Sequence, residues 1–139
     1  MATTIRAQIS EKNKYYIDKH RHYELKHFCL QYPIWKKAHS DCLDGDISVA
    51  MIEGVRPVDG TYDPTSVRAV TRAHYSKRIQ LLEQAAKDAD RYLWRYILKA
   101  VTEGLSYTYL KTKLDIPCGK DMYYDRYRRF FWLLSELRD

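Results

Sequence analysis

His20, Glu24 and His27 stand at i, i+4 and i+7, so a helix over that segment sets two imidazoles and a carboxylate on one face, the donor types that hold a divalent metal. A metal centre needs a fourth group or open positions held by a supporting shell, and neither HExxH nor another ligand cluster occurs. With Lys19, Arg21 and Lys26 around them, these histidines read as solvated or phosphate-contacting groups on a basic helix, and no metal is expected. Cys29, Cys42 and Cys118 form an odd set without CxxC spacing, and nothing sets His39 or His74 beside them. They read as small buried hydrophobes in a reducing setting. Asp44, Asp46, Glu53, Asp59 and Asp63 match no calcium-loop spacing and read as a flexible acidic loop. No phosphate-cradling glycine loop or nucleophile elbow is present, so no catalytic residue, no cofactor and no enzymatic activity is expected.

The remaining chemistry is cationic. Lys and Arg total 24 against 18 Asp and Glu, and the net charge of +6 favours an anionic partner. The excess lies in the helical parts, while the segment 43–63 carries five acidic residues and one Arg. In the C-terminal segment the Lys and Arg side chains alternate with aromatic ones: Tyr123, Tyr127, Phe130, Leu134 and Leu137 recur at helical spacing as a buried stripe. Lys120, Tyr124 and Arg128, with Arg126 and Arg129 partly so, point away from that stripe. A helix with such a face suits the major groove of DNA, where Arg makes paired hydrogen bonds to guanine and Lys or Tyr anchors phosphates.

The elements that position these groups follow from caps and breaks. A chain of 139 residues with 45% hydrophobic content is expected to form one domain with a real core. Residues 1–18 read as an arm, Asp18 caps a helix reaching about Gln31, and a short helix follows over Ile34–Cys42. Leu43–Asp63 is the long acidic loop, and Asp63-Pro64 starts a long central helix whose buried face is Tyr75, Ile79, Leu82, Ala86 and Ala89. A recap near Asp88–Asp90 leads to another helix through Leu93, Ile97, Ala100 and Val101, stopped by Gly104. Then come a short helix over Leu105–Leu114, a turn over Asp115–Gly119, and a final helix capped by Asp121 and reaching about Leu137. The fold class is therefore all-α: a helical bundle over 1–104 continuous with a helix-turn-helix over 105–139.

Four stretches, Tyr92-Leu93-Trp94-Arg95-Tyr96-Ile97, Glu103-Gly104-Leu105-Ser106-Tyr107, Leu114-Asp115-Ile116-Pro117 and Tyr123-Tyr124-Asp125-Arg126-Tyr127-Arg128-Arg129-Phe130, resemble the C-terminal region of phage regulators of the RinA/ArpU type. That region is similar to the helix-turn-helix of sigma factors. Lys111 stands where the pattern has a small residue, Asp115 where it has the turn glycine, and Pro117 to Asp121 lengthen the turn. The resemblance implies a phage or prophage protein that binds double-stranded promoter DNA and activates late genes, with RNA polymerase as the implied partner. On the face read above, Lys120, Tyr124, Arg126, Arg128 and Arg129 are the expected DNA-reading residues of the last helix, and Lys111 and Lys113 the expected phosphate contacts. The long central helix is a dimerisation element in this reading, and two copies would demand two half-sites. No apolar run has the length of a membrane span, so action in the bacterial cytoplasm is expected. Two other readings stand beside it: a small terminase subunit recognising packaging DNA, and a phage inhibitor of a host defence or transcription protein.

Overall fold

In the computed structural model, which describes residues 11–44 and 64–138, each expected helix is present and no strand occurs among the described residues. The helices are α1 (Lys19–Leu30), α2 (Tyr32–Asp44), α3 (Pro64–Ala89), α4 (Trp94–Glu103), α5 (Tyr107–Lys113) and α6 (Lys120–Arg138). The protein is all-α. Most of the expected acidic loop, the Asp63 cap and the first ten residues of the arm lie outside the described residues.

Local chemistry explains the boundaries. The Asp18 side chain accepts from the His20 amide at 2.9 Å and starts α1. Upstream, the described end of the arm is a turn: the Asn13 carboxamide accepts from the Tyr15 amide at 2.8 Å, and Tyr15 packs against Trp132 at 6.0 Å. Pro33 sits in the first turn of α2, where its missing amide costs no helical bond. At the end of α4, Gly104 has φ 69°, and the amides of Gly104 and Leu105 both reach the Ala100 carbonyl. An added Cβ there would have room, so the left-handed backbone is what requires glycine. The α5 cap is Ser106, whose hydroxyl accepts from the Tyr109 amide at 3.1 Å. The last helix begins two residues earlier than an Asp121 cap would start it, at Lys120, and Asp121 lies inside its first turn.

The described residues group into two compact units: 11–31 with 81–138, and 32–44 with 64–80. In the second, Trp35, Ala38, Thr71, Tyr75 and Ile79 are buried, and the Arg78 guanidinium lies 5.7 Å from the Trp35 ring. Thr71 avoids a polar penalty by donating to the Val67 carbonyl at 2.7 Å.

The first unit carries the C-terminal helices. Here α1 packs on α4 and α6, and α4 packs on α5 and α6. Leu25, Phe28 and Cys29 of α1 are buried, and so are Leu82, Ala86 and Ala89 of α3, Leu93 just before α4, and Ile97, Ala100 and Val101 of α4, the faces expected for α3 and α4. Tyr123, Phe130 and Leu134 of α6 are buried too. The details differ. Tyr127 is half-buried, Phe131 joins the α6 core and Leu137 in the last turn is exposed; on α1, His22 is buried and Leu30 is exposed. The His22 ring lies 4.7 Å from Phe131 and 6.3 Å from Tyr127, so it works as an aromatic filler between α1 and α6. Polar clamps close the same seam: Arg21 donates to the Ser135 hydroxyl and carbonyl, each at 3.1 Å, and both Arg21 (2.6 Å) and Arg138 (3.6 Å) reach Glu24.

Candidate nucleic-acid interface

Helix α5, the turn 114–119 and α6 follow one another as expected, and each junction is tied down. Leu110, the buried anchor of α5, offers its carbonyl to the amides of Leu114 at 3.2 Å and Ile116 at 3.1 Å, which folds the chain back and buries Ile116. The reversal needs a positive φ, and Asp115 supplies it at 52°. This is the position at which the resembled pattern carries glycine; Asp is among the few other residues that tolerate the left-handed region. The Tyr107 hydroxyl donates to the Cys118 carbonyl at 2.8 Å, so the start of α5 holds the end of the turn.

The seven residues expected to meet DNA separate into distinct environments. Lys111, Lys113 and Lys120 are exposed, with the Lys111 ammonium 3.4 Å from the Ile116 carbonyl. Tyr124, expected as the aromatic exception that faces outward, is half-buried in a tyrosine cluster with Tyr123 at 5.1 Å, Tyr127 at 6.0 Å and Tyr107 at 6.4 Å. Among the described residues, the exposed tyrosines are Tyr109 and Tyr92. Arg128 and Arg129 are half-buried on α6. The Arg128 Nε is enclosed without a hydrogen-bond partner, so its guanidinium is not spent on an internal bond there.

Arg126 is different. Its Nε donates to Asp90 at 2.9 Å, and it also meets Asp125. Asp90 in turn accepts the amides of Tyr92 and Leu93, both at 2.8 Å, at the α3–α4 junction. Burial alone would push the Asp90 carboxyl up; the Leu93 and Tyr92 amides and the Arg126 guanidinium outweigh it and hold the carboxyl below its ordinary value. Arg126 therefore positions α6 against the α3–α4 junction. Sequence reasoning finds the Asp90 turn from its type, but a partner 36 residues away carries no local signal.

Replacing Asp90 with Ala removes the acceptor for two amides and one guanidinium, and a loss of about 2 kcal/mol in unfolding free energy is expected. Asp90→Asn keeps an oxygen for the amides and should lose roughly half as much. Urea denaturation of both variants measures this, and equal stability to the parent would mean the carboxylate is idle. Because its folded value is depressed, the Asp90 contribution is complete above the unfolded value of 3.8 and is lost as pH falls through the folded one.

Other constellations are resolved by placement. His20 and His27 are exposed, and Glu24 between them is taken by Arg21 and Arg138. Among the described residues, no three His, Cys, Asp or Glu side chains gather to hold a metal. Cys29 is buried, with burial pushing its thiol far up, and Cys118 is half-buried with its thiol raised by the same cause. No helix among the described residues is long and apolar enough to cross a membrane. In comparisons with known proteins, no family model, curated protein or solved structure matches this chain.

Proposed function

We propose that the chain is a phage or prophage transcriptional regulator that binds double-stranded DNA in a sequence-specific way and activates late genes from the bacterial cytoplasm. The α6 helix lies in the major groove, with Arg128, Arg129 and Lys120 toward the DNA and Lys111 and Lys113 on phosphates. Arg126 sets the angle of α6 through Asp90, and Tyr124 braces it. The sign of regulation and contact with RNA polymerase come from the resemblance to the RinA/ArpU-type regulators, as does the sigma-like character of the motif. Pairing of two copies through α3 would place two reading helices on two half-sites.

The observation that carries this reading is the division of labour among the α6 cations. Arg126 and Arg138 are committed to carboxylates of this chain, whereas Lys113 and Lys120 stand in solvent beside the turn, and half-buried Arg128 has its Nε enclosed with no ion pair among the described residues. A cation that stabilises no internal partner has its charge available for an external anion.

The test is binding to a fragment library from the genomic neighbourhood, against shuffled DNA, across a salt series. Enrichment of one site that survives moderate salt is expected. Arg128→Ala should then weaken that site by about 1–3 kcal/mol, roughly 5- to 150-fold, with little change on shuffled DNA and with folding intact. Weak, uniform binding that vanishes with salt would sink the regulator reading and direct attention to host proteins. A ring-like oligomer on a packaging site would favour a terminase small subunit.

A further inference from the structure

The junction between α3 and α4 carries three exposed cations at four-residue intervals, Lys87, Arg91 and Arg95. Each is fastened to an aromatic ring. The Lys87 ammonium lies 4.9 Å and the Arg95 guanidinium 5.2 Å from the Trp94 ring centroid, and Arg91 lies 5.0 Å from that of Tyr92. Rings at these distances attract the cations and restrict long side chains that otherwise sweep freely, so less freedom is lost when an anion arrives. Of the acids interleaved with them, Asp90 holds Arg126 and two amides, while exposed Asp88 accepts from the neutral Gln84 carboxamide at 2.8 Å and leaves the three cations in excess. Positive charge here faces solvent, together with the Tyr92 ring, which is 76% exposed.

The geometry points to a second nucleic-acid contact at this junction: Lys87, Arg91 and Arg95 bind the phosphate backbone of the same duplex that α6 reads. The inference rests on the proposed function and extends its footprint. Its warrant is continuity, because Asp90, the neighbour of Arg91 in the chain, bonds Arg126 on the DNA-facing helix. A polyanion that lies along α6 thus comes near the α3–α4 junction that carries these cations. The contact reads no bases: it supplies affinity and orientation, leaving discrimination to α6.

The experiment uses the full chain and a mixed-sequence duplex of about 30 base pairs, with binding followed by anisotropy across a salt series. For the triple variant Lys87→Gln, Arg91→Gln, Arg95→Gln, affinity at about 0.1 M salt should fall on the order of 100-fold. The slope of log affinity against log salt should become shallower by about 2 to 3. The charge-retaining triple Lys87→Arg, Arg91→Lys, Arg95→Lys should keep the parent slope, which separates loss of charge from loss of fold. On the unaltered protein, the duplex should slow acetylation of Lys87. An unchanged slope in the Gln variant, with Lys87 as reactive in the complex as alone, overturns this contact while leaving α6 binding intact. A parent protein that binds neither this duplex nor any library fragment overturns the proposed function and the contact together.

Discussion

Phe130→Ala is expected to lower the unfolding free energy by about 3–5 kcal/mol, the usual cost of emptying a fully buried phenyl site. Phe130 has no exposed surface, and its ring meets Phe131 edge-on at 5.0 Å in the unit where α6 packs on α1 and α4. Against a total stability of about 5–15 kcal/mol, such a loss moves the thermal midpoint by on the order of 10–20 °C. The control lies on the same periodic stripe. Leu137 is seven residues on, yet it is 44% exposed, so Leu137→Ala should cost no more than about 0.5 kcal/mol. Thermal unfolding of the two variants tests the assignment. Comparable losses at both positions would mean that the end of α6 is packed as its periodicity suggests and that the exposure of Leu137 is not the native arrangement.

The second large effect is a loss of stability in mild acid. His22 is only 6% exposed, and its Nε2 has no hydrogen-bond partner. Burial first, and the Lys26 charge second, lower its pKa from 6.5 to about 4. The unfolded chain therefore takes up a proton that the native state refuses. The stabilisation is complete above 6.5 and is lost as pH falls toward about 4. At about 1.4 kcal/mol per pH unit across that window, the loss attributable to His22 is about 3 kcal/mol. His22→Leu should remove this part of the slope, whatever it does to stability at neutral pH. His74 is lowered in the same direction by burial and Arg78, so the difference between parent and variant isolates His22 from the total slope. Asp90 acts only below this range. Parallel stability curves for the parent and His22→Leu from pH 7 to 4 would show that the native imidazole takes up its proton as readily as the unfolded one.

Much of the fold was legible because its signals are local. Asp18, Ser106 and Gly104 end or begin helices through bonds to residues no more than four positions away, and a periodic face such as Tyr75 to Ala89 reports its own burial. The six cations and one tyrosine expected to meet DNA were equally visible as residue types. Their individual environments were not. Arg126 and Arg128 are two positions apart and chemically identical in the chain, but one is held by Asp90 and the other has an unpartnered Nε. Likewise His20, His22 and His27 share one short helix, and the residue that matters for stability is the one whose position rotates it against Phe131.

Residue type and period thus determined by themselves where helices start, stop and turn inward, and that the excess charge is positive, since backbone capping and amphipathic spacing act within a few residues. Only the tertiary structure decided which cations are neutralised within the fold and which histidine is dehydrated, because the Arg126–Asp90 pair and the packing of His22 on Phe131 depend on distances between helices remote in the chain.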